Sequence, residues 1–202
     1  MTRLGYAVAG ALALAGAGLA SITTVRFEPA DPPAAAAPRS VVERAPKLPP
    51  APVDLGRISV PVAGVSRSAL LDTWGQSRSG GSRAHQAIDI PAPAGTPVVA
   101  AASGVVEKLF NSDAGGITLY VRSPDRRTSY YYAHLQRYAP GIRENMRVEQ
   151  GQLLGFVGDT GNSGAGNHHL HFGVSRMGDG ESWYGGEPLN PYPLLAEREG
   201  GR

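Results

Sequence analysis

The segment 167–174 holds three of the five histidines in this 202-residue chain. Its polar and apolar residues alternate, which predicts a β-strand whose successive side chains point to opposite faces. His169 and His171 would share one face, while Leu170 and Phe172 share the other. Two imidazoles on one face suit a metal site beside a proton-transfer group, because neutral imidazole is a common zinc ligand. The alternative is a pair of surface histidines on an edge strand, since so short a motif also arises by chance.

A second set of candidate ligands lies in residues 83–91. His85 and Asp89 are four residues apart, but the isoleucines around Asp89 and the following proline favour a loop entering a strand over a helix. A carboxylate and an imidazole can supply two of the three protein ligands of a catalytic zinc site, with His171 as the third and water in the fourth position. Taken alone, Asp89 is equally compatible with a turn-capping role.

His134 follows an aromatic run, residues 130–132. A lone histidine in such a place is often a core residue with a hydrogen-bonded ring. All five histidines of the chain, however, fall in these three segments. Their concentration favours one shared site.

The composition of the chain limits which metal ligands and which binding partners are possible. The chain contains no cysteine, so disulfides and thiolate ligands are excluded and a metal must be held by histidine or carboxylate. The formal net charge is +2 and the arginines are scattered, so no nucleic-acid-binding patch is predicted.

The elements that must position these side chains are short runs of β-branched and aromatic residues. The runs cover residues 58–62, 96–101, 104–110, 117–121, 129–132 and 152–157. Turns containing glycine or proline separate them. At most a short helix over residues 65–72 fits the pattern. We therefore predict an all-β domain, either a sandwich or a barrel.

The N-terminal region has a different character. Arg3 precedes an apolar run over residues 4–20, which predicts a secretory signal or, if the run extends to residue 25, a retained anchor in the cytoplasmic membrane. Residues 26–54 are rich in proline and alanine, which predicts a disordered linker. We expect one folded domain over residues 55–195 and a polar tail over residues 196–202. The domain would lie outside the cytoplasm in the cell envelope, periplasmic or membrane-anchored, with secretion as the alternative.

In order and chemistry, the motifs resemble those of the lysostaphin and LytM family of zinc metallopeptidases, which cut peptide bonds in bacterial peptidoglycan. The resemblance runs from about residue 75 to residue 174. The matching residues are His85-x-x-x-Asp89, Gly95-Thr96-Pro97-Val98, Ser103-Gly104-Val105-Val106, Tyr132-Ala133-His134-Leu135, Gly151-Gln152-Leu153-Leu154-Gly155, Gly158-Asp159-Thr160-Gly161-Asn162-Ser163 and His169-Leu170-His171-Phe172.

The resemblance implies a largely antiparallel β-sheet fold with one Zn²⁺ per domain, bound in a groove. It implies that His85, Asp89 and His171 are the zinc ligands. It also implies that His134 and His169 are catalytic without binding the metal, and that peptidoglycan peptides are the substrate. Glycine-rich loops at residues 113–116 and 158–166, with the segment 176–186, would wall the groove.

Two positions depart from the family pattern. Ala87 stands where glycine is usual, which would narrow the floor of the groove or shift the local backbone. His168 stands where proline is frequent. Because side chains alternate along a strand, His168 would point to the face opposite His169 and His171, away from the metal. We therefore do not expect it to be a ligand.

The predicted function is that of a zinc-dependent endopeptidase that hydrolyses cross-links or stem peptides of peptidoglycan. One alternative is a non-catalytic relative of the same fold that binds peptidoglycan or activates an amidase. Such relatives typically lack one or more ligands, whereas this chain has the whole set. The other alternative is an unrelated metal-binding β-barrel that acts on a small molecule.

Overall fold

The computed structural model describes residues 58–196 of the chain. Within that part of the chain, strands predominate and one short α-helix follows them. The strands are β1 (Ser77–Arg78), β2 (Arg83–Ala84), β3 (Ile88–Pro91), β4 (Pro97–Val99), β5 (Gly104–Ser112), β6 (Gly116–Arg122), β7 (Thr128–Tyr138), β8 (Arg147–Val148), β9 (Leu153–Val157), β10 (His169–Arg176) and β11 (Glu187–Leu189), and the helix is α1 (Pro191–Ala196). Single 3₁₀ turns occur at Arg67–Ala69, Ser79–Gly81 and Gly161–Ser163.

Strands β3 to β11 form one antiparallel sheet. Its main path has the order β11-β10-β7-β6-β5-β8. β3 pairs with the edge of β10 opposite β7, and β9 pairs with both β4 and the second half of β7. β1 and β2 form a separate two-stranded unit. The arrangement places β10 between β3 and β7, so side chains from all three strands meet on one face.

The other face of β10 belongs to the core. Leu170, Phe172 and Val174 are at most 1% exposed, and the ring of Phe172 lies 5.3 Å from that of Tyr132 on β7. Burying a side chain of this size contributes roughly 1.5–3 kcal/mol, so the row fixes the rotation of the strand. Since strand side chains alternate, the intervening histidines are held on the opposite face.

The structure confirms the prediction of an all-β, largely antiparallel domain. The run over residues 58–62 is not a strand, however. Only an isolated bridge joins Val62 to Val98, because Pro61 has no N–H group with which to continue a ladder. The expected helix over residues 65–72 is reduced to the 3₁₀ turn Arg67–Ala69. Residues 88–91, expected to be a loop entering a strand, are themselves strand β3.

The described residues contain no helix that is long and apolar enough to cross a bilayer. The predicted signal or anchor over residues 1–25 and the predicted linker over residues 26–54 lie outside the described residues, as does the predicted tail from residue 197 onward.

Candidate metal centre and catalytic cleft

Two of the candidate ligands face each other across neighbouring strands. In the antiparallel pairing of β10 with β3, His171 lies directly opposite Asp89. Directly opposed side chains project to the same face with Cβ atoms about 4.5–5.5 Å apart. The imidazole Nδ1 atom of His171 accordingly lies 3.0 Å from carboxylate Oδ1 of Asp89.

The third candidate, His85, lies between β2 and β3 and is positioned by its backbone. Its N–H donates to the carbonyl oxygen of Gln76 at 2.9 Å, and its own carbonyl oxygen accepts from the N–H of Gly75 at 2.8 Å. The residue is only 3% exposed. These contacts place His85 beside Asp89, and a non-helical connection with a bend at Ala87 joins the two residues.

His85, Asp89 and His171 could together hold a metal ion. The Nε2 atom of His85 lies 3.2 Å from Oδ1 of Asp89 and 3.1 Å from Nδ1 of His171. With the 3.0 Å separation between Asp89 and His171, the three atoms form a nearly equilateral triangle. In a tetrahedral shell with bonds of about 2.0–2.1 Å, ligand atoms lie about 3.3–3.4 Å apart. The three residues therefore fit one face of such a shell.

Thr73 supports two members of the triangle. Nδ1 of His85 donates to the carbonyl oxygen of Thr73 at 2.8 Å, and the backbone N–H of Asp89 donates to the Thr73 hydroxyl at 2.9 Å. The first of these bonds places the imidazole proton on Nδ1 and leaves the lone pair of Nε2 facing the centre. Outer hydrogen bonds of this kind orient metal-binding histidines and maintain their tautomer.

Arg78 supports the carboxylate from its other side. A guanidinium nitrogen of Arg78 lies 2.5 Å from Oδ2 of Asp89, while Oδ1 faces the two histidines. Burial opposes ionisation of Asp89, but its hydrogen bonds with His171 and His85 outweigh burial and hold the pKa of the carboxyl well below its usual range. Burial also lowers the pKa of His171. An ionised carboxylate and a neutral imidazole are the forms that bind a metal.

His134 lies at an irregularity in β7. Its φ angle is 59°, in the left-handed region that non-glycine residues seldom adopt and that costs of order 1–3 kcal/mol. The pairing of β6 with β7 shifts register between Ile117 and Leu119 at this point. The partner on the other edge of β7 also changes here, since Ala133 pairs with β10 and Leu135 pairs with β9. Such bulges re-aim a side chain, and this one brings the His134 ring to 4.9 Å from that of His169.

His134 and His169 present the same ring nitrogen to the cleft. Nδ1 of His134 donates to the carbonyl oxygen of Thr160 at 2.7 Å, and Nδ1 of His169 donates to that of Asn167 at 2.9 Å. The neutral form of each ring therefore keeps its proton on Nδ1 and has a free lone pair on Nε2. Burial lowers the pKa of His134 to about 4, so this residue is neutral at pH 7. Nε2 of His169 lies 3.6 Å from Oδ1 of Asp89.

All five predicted site residues line a single cleft of about 290 Å³. The predicted loops wall it through Ala114, Gly115, Asn162 and Ser163. The two loops touch through their backbones, because the N–H of Asn162 donates to the carbonyl oxygen of Ala114 at 3.0 Å. His134 lies beneath this junction, and its backbone N–H donates to Gly115 at 2.9 Å.

The two departures from the family pattern lie outside this cleft. His168 does not line this cleft, and its Nδ1 atom is 3.7 Å from the carboxylate of Asp159. The geometry agrees with the expectation that His168 is not a ligand. Ala87 is 1% exposed and does not line the cleft. Its methyl group therefore does not narrow this cleft, and the alternative expectation, a shift of the local backbone, stays a prediction.

Sequence reasoning missed Thr73, Arg78 and Thr160. Arg78 is one of many scattered arginines, and the two threonines contact the histidine rings through carbonyl oxygens, which every residue type carries. Thr160 falls within a matched motif, but nothing in its side chain signals a bond from its carbonyl group to a histidine.

The sequence of this chain is similar to that of a known protein family and to those of individual proteins. A family model described as Peptidase family M23 matches residues 83–191. The L-Ala–D-Glu endopeptidase of Bacillus subtilis is 34% identical over 149 residues, which are 71% of this chain and 44% of that protein. Peptidoglycan DD-endopeptidase ShyC of Vibrio cholerae is 38% identical over 94 residues, which are 46% of this chain and 21% of ShyC. The chain thus spans less than half the length of these curated relatives.

The fold of this chain is also similar to that of a solved structure. The catalytic domain of the antimicrobial peptidase lysostaphin from Staphylococcus simulans superposes with a TM-score of 0.52 at 29% identity. The match covers 62% of this chain and 90% of that domain. The similarity therefore extends over nearly the whole lysostaphin catalytic domain.

Proposed function

The chain belongs to peptidase family M23, as the motifs predicted, and from that premise we propose that it is a zinc-dependent endopeptidase of bacterial peptidoglycan. The names of both curated relatives support a peptide bond as the target. Because those names specify different bonds, the proposal covers cross-links as well as stem peptides. It depends on one observation, the triangle of His85, Asp89 and His171 in the same cleft as two further histidines.

In this proposal His85, Asp89 and His171 hold one Zn²⁺. The chemistry of the donor set fits this metal, since two imidazoles and a carboxylate without thiolates are typical of catalytic zinc sites. A bound zinc supplies Lewis-acid polarisation of the scissile carbonyl group and lowers the pKa of a water molecule to about 7. Thr73 and Arg78 orient the ligands and thereby maintain the donor set.

His134 and His169 handle protons. Each offers an Nε2 lone pair to the cleft, so each can accept a proton from the attacking water as a general base. The histidine that takes up this proton can then donate it to the amine nitrogen that leaves when the peptide C–N bond breaks. The histidine thereby returns to its neutral form. The neutral form of His134 has no Nε2 proton, so His134 can donate to the substrate only after it has accepted one.

The site of action would be the cell envelope outside the cytoplasm. Peptidoglycan lies there, and the pattern over residues 1–25 predicts export, as either a cleaved signal or a retained anchor. Fusion of a reporter after residue 54 tests this point. A reporter active only in the cytoplasm would reject it.

Digestion of purified sacculi tests the activity. We expect the full chain to release soluble peptides, which mass spectrometry identifies. This release should stop when a chelator is added. His169→Ala should retain zinc and lose at least about 100-fold in rate, because a general acid or base usually contributes 10²–10⁴-fold. A zinc-loaded protein that leaves sacculi intact would instead favour a non-catalytic peptidoglycan-binding role.

Metal analysis tests the ligand set. His85→Ala, Asp89→Ala and His171→Ala should each abolish stoichiometric zinc, because three protein ligands are the minimum of a catalytic site. His168→Ala is the matched control, a neighbouring histidine outside the cleft, and should bind zinc normally. Zinc retained after loss of His171 would overturn the assignment.

A further inference from the structure

A second cleft lies beside the metal centre. Its volume is about 320 Å³. It shares four lining residues with the first cleft, namely Arg83, His85, Tyr131 and His171. The two clefts therefore form one continuous groove that passes the candidate ligands, and a substrate held at the centre would extend into the second cleft.

The wall of the second cleft is aromatic and rigidly held. The ring of Tyr120 lies 4.6 Å from that of Tyr131 and 5.0 Å from that of Trp183. Arg122, which is 2% exposed, donates to the carbonyl oxygen of Ser182 at 2.7 Å and to Glu107 at 2.6 Å. These bonds fasten the loop that carries Trp183 to β6. The wall is thus formed before a ligand arrives, which lowers the entropic cost of binding.

The charge of the second cleft comes from Arg83. Among the described residues that line it, Arg83 is the one arginine or lysine, and none is an aspartate or glutamate. Arg83 is exposed, and within residues 58–196 its side chain has neither an ion pair nor a hydrogen bond, in contrast to Arg78 and Arg122. An unpaired guanidinium presents a planar fork of donors that matches a carboxylate.

We propose that the second cleft is the subsite for the substrate residue next to the scissile bond, and that Arg83 selects a residue carrying a free carboxylate. The aromatic wall packs on the aliphatic part of that residue while the guanidinium binds its acidic end. An uncharged residue would leave Arg83 without a partner and bind less tightly. This inference rests on the proposed function, since it names the substrate class of the same groove.

Matched substrates test the subsite. Soluble muropeptides are compared with the same muropeptides after carbodiimide coupling to ammonia, which converts carboxylates to carboxamides. We expect kcat/KM of the full chain to be about tenfold or more higher for the carboxylate form, the range of a hydrogen bond to a charged group. Arg83→Gln should remove this preference by raising KM for the carboxylate form alone, as expected for uniform binding.

Two further variants sharpen the comparison. Arg83→Lys should retain part of the preference, because it keeps the charge but not the fork. Arg147→Gln is the matched control, since Arg147 is an exposed arginine on β8 that lines neither cleft. An Arg83→Gln variant with the parent's preference, or a parent that favours the amidated form, would overturn the proposal.

Binding separates this proposal from the proposed function. Calorimetry with the zinc-loaded His169→Ala protein measures the Kd of each muropeptide form with turnover slowed by at least about 100-fold. Tighter binding of the carboxylate form that disappears with Arg83→Gln supports the subsite even if the parent cleaves nothing. Equal affinity for the two forms overturns the subsite even if the parent cleaves sacculi.

Discussion

The Nδ1 atom of His134 donates a 2.7 Å hydrogen bond to the backbone carbonyl oxygen of Thr160. Thr160 belongs to the loop that walls the cleft, and its hydroxyl accepts from the N–H of Ile117 at 3.0 Å. The same loop therefore fixes the tautomer of His134 and binds β6. This bond leaves Nε2 of His134 as the atom available for chemistry.

Two replacements of His134 should distinguish the catalytic role of its ring from the stability cost of its left-handed backbone. His134→Gly and His134→Ala both remove Nε2, so each should lose at least about 100-fold in rate while retaining zinc. Glycine accepts a φ of 59° without a steric penalty. His134→Gly should therefore be at least as stable as His134→Ala, although glycine in an ordinary strand is destabilising by about 0.5–1 kcal/mol relative to alanine.

Ala133→Gly is the stability control for that pair, because Ala133 precedes His134 and is not among the described residues with positive φ. The Ala133→Gly variant should be less stable than the parent protein. Zinc content, Tm and turnover are measured on the same preparations. Activity that falls only in proportion to unfolding would contradict a proton-handling role for His134.

Arg78→Met should weaken zinc binding. Arg78 holds Oδ2 of Asp89 while Oδ1 faces the histidines, and loss of such an outer contact typically costs 10–100-fold in metal affinity or activity. Arg78→Lys should be intermediate. Competition with a chromophoric chelator gives the Kd for zinc, with Arg83→Gln as the control because Arg83 makes no contact with Asp89. An Arg78→Met protein that binds zinc as tightly as the parent would rule out this role.

The junction of the two cleft loops should tolerate no side chain at Gly161. Its φ is 72°, and a Cβ atom there would lie 2.3 Å from the backbone nitrogen of Gly116. Gly161→Ala should lower the free energy of unfolding by about 2–4 kcal/mol, from strain and overpacking together. Gly164→Ala, with φ of 91° but open space around it, should cost only about 1–2 kcal/mol. Denaturant unfolding measures both, and equal losses would contradict the predicted close contact.

The metal-free protein should lose stability as the pH falls from about 6.5 towards about 4. Burial lowers the pKa of His134 from 6.5 to about 4, so in this range the unfolded chain binds a proton that the folded chain does not. The contribution is fully present above the unfolded value and is lost progressively down to the folded one. His134→Asn, which tolerates the left-handed conformation, should show a shallower decline in chelator-treated protein. Identical pH profiles would contradict the shift.

Local pattern was sufficient for the residues that meet in the cleft and for the class of fold. The alternation over residues 167–174 predicted the two faces of β10, and Leu170 and Phe172 are indeed buried on the face away from the histidines. The motif order likewise predicted the family. Both predictions succeeded because side-chain alternation is a property of the extended backbone itself, and because residue type determines which groups can bind a metal or carry a proton.

Tertiary structure alone decided how those residues work together. The left-handed backbone at His134 appears where β7 changes its partner from β10 to β9. The supports from Thr73, Arg78 and Thr160 are hydrogen bonds between separate segments that the fold brings together. Such contacts follow from the packing of the whole sheet, so no local period or spacing in the sequence encodes them.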